Sequence, residues 1–294
     1  MTKTFAVSCA LAASASMAAH LNTLNQTSAA PPKAAPAHPD SLSLAQSSNH
    51  DCLYTQTRNK APVDNFHTIA SSATEYNDDD FTPDNSSLYW ADMGESLKVK
   101  DFEWKRAKNL FNDANNDLWG SNGISPNDIK QGGLGNCWFL AGASALAEHP
   151  HRIERMFLNE DSKLTAAGIY AINFYALGVP HTVVVDDWLP TTYNPRTEEY
   201  ATLFNAIGRD GSLWPVLIEK AFAKYHGNYS HIDGGDPLKS VQTMAGAPGE
   251  RYTHADSTID ALWEKLQFHD ERHDIMQAGT PGGSDAYTNA DGLY

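Results

Sequence analysis

The feature that most constrains this chain is an apolar stretch that begins directly after a glycine-rich segment. Residues 131–140 read QGGLGNCWFL, and small or apolar side chains continue on every side as far as Ala147. Glycine favours a loop, whereas an apolar run of this length is typical of a buried helix. The sequence therefore predicts a loop followed by a core helix that starts near Cys137 and ends near His149 and Pro150.

Cys137 falls in the first turn of this predicted helix. The unpaired backbone amides and the positive end of the helix dipole there stabilise a thiolate, which is the attacking species in cysteine chemistry. Gln131 stands six residues earlier, where its side-chain amide could donate to an oxyanion beside the backbone amide of Cys137. The pattern indicates acyl transfer. Taken alone, the same cysteine is as readily interpreted as a small core residue.

A longer stretch around Cys137 carries a family signature. The segment DIKQGGLGNCWFLAGASALAE, at 128–148, resembles the active-site motif of calpain-type cysteine proteases. Segments 168–191, 213–229 and 233–237 resemble later parts of the same family and follow in its order, so the resemblance covers roughly residues 77–294. It departs from the motif at Asn136, where an aspartate is expected, although asparagine can also cap a helix.

The resemblance implies both a fold and an activity. The implied fold class is α+β, a papain-like calpain protease core represented mainly by its helical, cysteine-bearing half. The implied activity is that of a calcium-dependent-type cysteine endopeptidase acting on protein substrates. In this interpretation Cys137 attacks the scissile carbonyl, Gln131 helps to hold the oxyanion, and water resolves the acyl-enzyme.

The catalytic base that the resemblance implies has no counterpart here. The family places a histidine in a Gly-His-Ala-Tyr-like setting, with an asparagine further on, and none of the twelve histidines matches that setting. We therefore expect a fragment, truncated before its catalytic histidine and inactive on its own. The alternative is a catalytically dead calpain-like module that serves interaction or regulation.

Calcium-binding positions are also implied by the resemblance. Gly123 and Asp128 match a backbone ligand and a carboxylate ligand of the calpain-type core, and hard oxygen donors suit this ion. A second carboxylate is expected where this chain has Ser212. The resemblance thus predicts a calcium site that the loss of one charge weakens. Asp128 is equally well interpreted as a capping or turn residue.

A zinc site at HDERH, residues 269–273, is a hypothesis from outside cysteine chemistry. The two histidines are four residues apart and would share a helix face, but Asp270 occupies the place of the glutamate that metalloproteases use as general base. A solvated, charged helix end explains these residues without a metal.

The charge balance excludes several kinds of partner. A net charge of -15 and a pI of about 5.1, without any basic stretch, argue against nucleic acid and anionic lipid. No apolar run approaches the roughly 20 residues that span a bilayer, so we expect no integral membrane segment. The resemblance favours a cytoplasmic location. Residues 1–19 resemble a signal peptide as much as an alanine- and serine-rich leader, and cleavage there would indicate secretion.

Composition divides the chain into three parts. Residues 1–19 form the leader, residues 20–76 are a low-complexity and disordered extension, and residues 77–294 are the catalytic domain, incomplete at its C-terminal end. Inside that domain, period-two alternation predicts one hairpin, from Ile169–Tyr175 and Thr182–Val185, that ends in two structural aspartates. Gly178 and Pro180 mark its turn. Three-and-four spacing predicts further helices near 213–225, 237–245 and 258–266. Asp236 and Gly246 mark the two ends of the second helix, and Ser257 with Asp260 resembles a capping box ahead of the third.

Overall fold

The computed structural model describes residues 6–8, 60–89, 102–110, 117–253, 255 and 257–279. Its α-helices are α1 (Lys60–Asp64), α2 (Phe66–Ala70), α3 (Asn85–Leu88), α4 (Cys137–Ala147), α5 (Pro150–Glu154), α6 (Trp214–Tyr225), α7 (Pro237–Ala245) and α8 (Ile259–Glu271). Its strands are β1 (Ala6–Ser8), β2 (Phe102–Arg106), β3 (Ile169–Ala176), β4 (Val179–Asp186), β5 (Trp188–Asn194), β6 (Glu199–Thr202) and β7 (Ile275–Gln277). This mixture of helices and antiparallel sheets confirms the α+β class.

Helix α6 lies at the centre of the core. All of its residues are buried, in keeping with the apolar three-and-four spacing that predicts it. Phe222 of α6 stacks on Phe139 of α4 with ring centroids 4.0 Å apart, and it meets Trp138 edge-on at 5.5 Å. These aromatic contacts join the two predicted helices into one packed unit, so the helix that carries Cys137 rests on the centre of the molecule.

The predicted hairpin is confirmed. Strands β3 and β4 pair antiparallel along their whole length. Leu177 and Gly178 form the turn with φ angles of 51° and 79°, the backbone that two-residue hairpin loops favour. Pro180, which the sequence predicts in the turn, lies instead in β4 opposite Tyr175.

A three-stranded antiparallel sheet, in the order β2-β5-β6, escapes the sequence-based prediction of a single hairpin. That prediction is wrong for two physical reasons. Strand β2 reads FEWKR, whose apolar–polar alternation covers only four residues, and β5, the central strand, contains Pro190, a residue more typical of sheet edges. The pairing partners of β2 also lie far away in the sequence, so no local signal reports them.

The structure differs from the prediction of disorder at residues 60–76. Helices α1 and α2 occupy this stretch, and Phe66 is buried in a small cluster with Ala167 and Ile169. The backbone amide of Tyr76 donates to the carbonyl of Ala167 at 2.7 Å. Phe66, with Val63, Ile69 and Ala70 packed beside it, thus anchors this segment to the hairpin. Strand β1 pairs with β7, and residues 9–59 of the predicted leader and extension lie outside the described residues.

Three buried carboxylate–cation pairs brace the hairpin and α6. They are Asp186 with Lys220, Asp187 with Arg106, and Asp78 with Lys224. The first two aspartates are the consecutive pair at the end of β4, and each binds a cation from another element. This confirms the predicted structural role for them, because buried charges persist only when they are paired.

Candidate active site

Cys137 is the first residue of α4, and its thiol is exposed and free. Most of the helix behind it is buried. The first amides of a helix have no partner within the helix, and their partial positive charge lies beside this sulfur. The thiol is therefore accessible at the start of α4, and its exposure excludes the interpretation as a small core residue.

Residues 130–136, termed here the glycine loop, lead into this helix. Backbone atoms of the loop are fastened to a neighbouring segment at 203–206 and to a second one at residue 234. The hydrogen bonds run from Lys130 N to Asn205 Oδ1 (3.0 Å), from Ala206 N to Lys130 O (2.8 Å), from Gly133 N to Leu203 O (3.3 Å) and from Gly234 N to Gly135 O (2.8 Å). The loop thus has a defined shape that its neighbours impose.

Gly132 makes the closest approach in the glycine loop. A Cβ at this position would lie 1.9 Å from the carbonyl oxygen of Phe204, which is closer than any real contact. At Gly133 the nearest atom would be 3.7 Å away, an ordinary distance. The sequence predicts both glycines as loop formers, but only Gly132 is required by packing.

Asn136 does not cap the helix through its side chain, and the prediction that it can do so is wrong. It occupies the N-cap position, yet its side chain makes no capping hydrogen bond. Instead, its Nδ2 donates to Oε1 of Glu219 at 2.6 Å, and both residues are buried. A buried carboxylate is a strong acceptor that needs a partner, which explains why the amide turns inward.

Gln131 lies in the glycine loop, and its side chain is partly committed. Its Nε2 donates to the carbonyl oxygen of Leu134 at 2.7 Å. This bond holds the amide close to the loop backbone. A primary amide has two N–H donors, so a second donor remains for a ligand.

Glu219 is the most unusual titratable group near the glycine loop. Burial raises the pKa of Glu219 to about 7, against the opposing hydrogen bonds from Asn205 N and from Asn136. Its Oε2 accepts from Asn205 N at 3.0 Å. A carboxylate in this position titrates near neutrality, where cysteine chemistry takes place.

This shift predicts a pH-dependent stability. A folded-state pKa of about 7, above the ordinary 4.5, means that the folded protein holds the proton more tightly than the unfolded chain. The free energy of unfolding should therefore fall as the pH rises through that window, by about 1.4 kcal/mol per pH unit at most. Glu219→Gln should lack this contribution. Urea unfolding of both proteins across the window measures the difference, and parallel pH profiles would contradict the shift.

Comparison with known proteins agrees with this geometry. A sequence model of the calpain family of cysteine proteases matches residues 76–293, which include the glycine loop, α4 and α6. The chain belongs to the calpain family. The matched region differs by one residue at each end from residues 77–294, the region that the sequence motifs indicate.

Curated relatives of this calpain-family chain include plant and animal proteins. It is 30% identical over 235 residues to calpain-type cysteine protease ADL1 of Oryza sativa subsp. japonica, a match that covers 76% of this chain and 10% of the relative. It is 34% identical over 175 residues to calpain-5 of Caenorhabditis elegans, covering 58% of this chain and 25% of the relative. The chain thus spans between a tenth and a quarter of the length of these relatives.

The predicted calcium ligands are engaged in other interactions. Oδ2 of Asp128 accepts from Trp214 Nε1 at 2.9 Å and from Ser125 N at 2.8 Å. Ser125 and Asp128 form a reciprocal capping box, which is the structural alternative considered for Asp128. Gly123 lies in a turn with a φ of 76°, and the buried Ser212 hydroxyl has no hydrogen-bond partner among the described residues. Ser212 supplies a hydroxyl where the second carboxylate is expected, so this donor set offers a calcium ion one formal charge instead of two, and calcium binding stays a prediction.

No histidine in the described part of the chain is hydrogen-bonded to the Cys137 thiol. His226 directs its Nδ1 to the carbonyl of Phe222 at 2.9 Å, and Nδ1 of His231 lies 2.5 Å from the carbonyl of His226. These two side chains stabilise the turn after α6. Both histidines therefore take part in local packing at this turn.

The zinc hypothesis at residues 269–273 also fails on geometry. Helix α8 ends at Glu271, and His273 lies beyond it with a φ of 56°, so the two histidines do not share a helix face. His269 is buried and pairs with Asp274 at 2.9 Å. Within the described ranges, no group of three or more His, Cys, Asp or Glu side chains is arranged to hold a metal.

Sequence reasoning missed Glu219 and Asn205 as parts of the site. A signal for Glu219 was present: it interrupts the apolar spacing of α6, as Lys220 and Lys224 also do. Charged residues on a fully buried helix need hydrogen-bond or ion-pair partners, and those partners identify contacts that matter for structure or function. Asn205 carried no such signal because its role depends on a loop contact.

Proposed function

We propose that Cys137 is the nucleophile of a calpain-type cysteine endopeptidase domain. The observation that carries this proposal is the exposed thiol at the start of a helix whose body is buried on α6. Membership of the calpain family supports the same role. Protein substrates follow from the family and remain part of the proposal.

The proposed chemistry is acyl transfer. The sulfur of Cys137 attacks the scissile carbonyl carbon, the C–N bond of the peptide breaks, and the leaving amine takes a proton. The second N–H of the Gln131 amide and the backbone amide of Cys137 support the developing oxyanion. Water then cleaves the thioester and releases the acid product.

Turnover needs a base that also protonates the leaving amine. None of the twelve histidines stands in the family's Gly-His-Ala-Tyr-like setting, so we propose that this chain by itself forms an activated thiol without sustained proteolysis. The alternative function is an interaction or regulatory module with a calpain-like fold. The observed free, exposed thiol favours the nucleophile over that alternative.

An epoxide directed at activated cysteines tests this proposal. We expect the folded chain to be labelled at Cys137 about ten-fold faster than the urea-denatured chain, because folding holds the sulfur beside the unpaired amides of a helix start. Labelling should disappear in Cys137→Ala and persist in Cys52→Ala, and mass spectrometry of the peptides measures both. Casein should remain uncleaved. Equal labelling of the folded and denatured chains would support the interaction module instead.

The location of the protein also remains a proposal. The resemblance implies the cytoplasm, whereas a cleaved leader would imply secretion. Within the described residues, no helix combines the length and apolar composition that crossing a bilayer requires. N-terminal sequencing of the mature protein decides between the two locations.

Calcium dependence stays a prediction from the family. The missing carboxylate at Ser212 leads us to expect a low affinity. We expect the chain to bind calcium no more tightly than about millimolar, and Ser212→Glu to improve the affinity at least about ten-fold by restoring a carboxylate. Ser212→Gln, of similar size without the charge, is the matched control. Isothermal titration calorimetry measures all three, and tight binding by the parent chain would show that the Asp128 hydrogen bonds yield to the ion.

A further inference from the structure

The carboxylate of Glu219 bridges the two ends of the glycine loop. Its Oε1 accepts from Asn136, the residue directly before Cys137. Its Oε2 accepts from the backbone amide of Asn205, whose own Oδ1 accepts from Lys130 N at the other end of the loop. Hydrogen bonds therefore connect the buried Glu219 side chain to both ends of the glycine loop, directly at Asn136 and through Asn205 at Lys130.

The three side chains that form this connection are held in place by close packing. Glu219 belongs to the fully buried α6, and Asn136 and Asn205 are themselves almost inaccessible. A carboxylate held in this way cannot exchange its protein partners for water. Loss of either hydrogen bond would leave a buried polar group unpaired, and the glycine loop would have to move to compensate.

We propose that Glu219 is a positioning residue for Cys137, whose carboxylate sets the shape of the glycine loop through Asn136 and Asn205. This inference rests on the proposed role of Cys137 as nucleophile. Glu219 does not touch the reacting atoms; it acts through the loop backbone. The two N–H donors proposed for the oxyanion, on the Gln131 side chain and the Cys137 backbone, depend on that loop backbone for their direction.

The side-chain amide of Asn136 can hydrogen-bond to Glu219 whether that carboxyl group is ionised or protonated. Its Nδ2 donates to the carboxylate, while its Oδ1 is buried without a hydrogen-bond partner in the described structure. Rotation of the amide would offer Oδ1 to a protonated Glu219.

Few other charges face Glu219. Tyr229, from the 3₁₀ turn Tyr229–Ile232, has a pKa well above its ordinary value because of burial and then of the Glu219 charge. The neighbouring Lys220 on α6 directs its ammonium to Asp186 instead. The ionisation of Glu219 is therefore controlled mainly by burial and by its two amide partners.

Two replacements of Glu219 test the proposal. Glu219→Leu, which can accept from neither Asn136 nor Asn205, should alkylate at Cys137 at least about ten-fold more slowly than the parent. Glu219→Gln should stay within about three-fold of the parent, since its amide can accept from Asn205 and donate to Asn136.

The measurement is the iodoacetamide rate of the Cys137 peptide, at equal folded fractions confirmed by circular dichroism. Asp187→Asn, another buried carboxylate that binds Arg106 and not the glycine loop, is the control and should leave the rate unchanged. Alkylation of Glu219→Leu at the parent rate, or of Glu219→Gln as slowly as Glu219→Leu, would overturn the inference. A parent thiol that reacts no faster folded than denatured would instead overturn the proposed function.

Discussion

Replacing Lys224 with methionine should lower the free energy of unfolding by about 3–5 kcal/mol. The ammonium of Lys224 donates to both carboxylate oxygens of Asp78, at 2.7 and 2.6 Å, and to the carbonyl of Val184 at 2.8 Å. Burial already raises the pKa of Asp78 despite this cation. Without Lys224, Asp78 would be a buried carboxylate that has lost its direct ion-pair partner, which is a costly polar defect.

Two comparisons isolate this effect in urea unfolding. Lys163→Met removes an exposed ion pair with Asp117 and should cost at most about 1 kcal/mol. The double variant Lys224→Met/Asp78→Asn should be more stable than Lys224→Met alone, because it removes the stranded charge as well. A single variant as stable as the parent would mean that Asp78 is hydrated or repaired by another group.

Gly132→Ala should cost about 3 kcal/mol of stability and slow the alkylation of Cys137 by at least about ten-fold. The added methyl group meets the carbonyl oxygen of Phe204, which belongs to the backbone and cannot rotate away. The glycine loop and the segment at 203–206 must therefore separate. Because that segment includes Asn205, the loop also loses its connection to Glu219.

Gly133→Ala is the matched control for this substitution. It adds the same methyl group to the next residue, where the nearest atom is 3.7 Å away, and it should change stability by less than about 1 kcal/mol. The difference between two adjacent glycines removes general effects of chain entropy from the comparison. If both variants behave alike, the contact with Phe204 does not shape the loop.

Helix ends could be predicted from the sequence because they depend on residues next to each other in the chain. Helix α7 has Asp236 as its N-cap and Gly246 in the left-handed conformation at its end, as the sequence predicts. At α8 the sequence suggests a cap at Ser257, but Thr258 accepts the capping bond from Ala261 N. An error of one residue is typical where several hydroxyl side chains compete for the same helix end.

The parts that could not be predicted depend on contacts between distant segments. Strand β2 exists because it pairs with β5, and nothing in FEWKR specifies that partner. The same holds for the candidate site. The motif identifies Cys137 and Gln131, but the inward turn of Asn136 becomes visible only when α6 brings Glu219 behind the glycine loop.

Because α6 is buried at the centre, the core of this chain cannot form on the ribosome until α6 itself has been synthesised. Every residue of this helix is enclosed by elements that mostly precede it, including α4 and the hairpin. Those earlier elements have no finished core until residue 225 has left the exit tunnel, because their apolar faces await α6. During that interval the nascent chain exposes the aromatic surface of α4 to solvent, and this stage of synthesis is where chaperone protection would matter most.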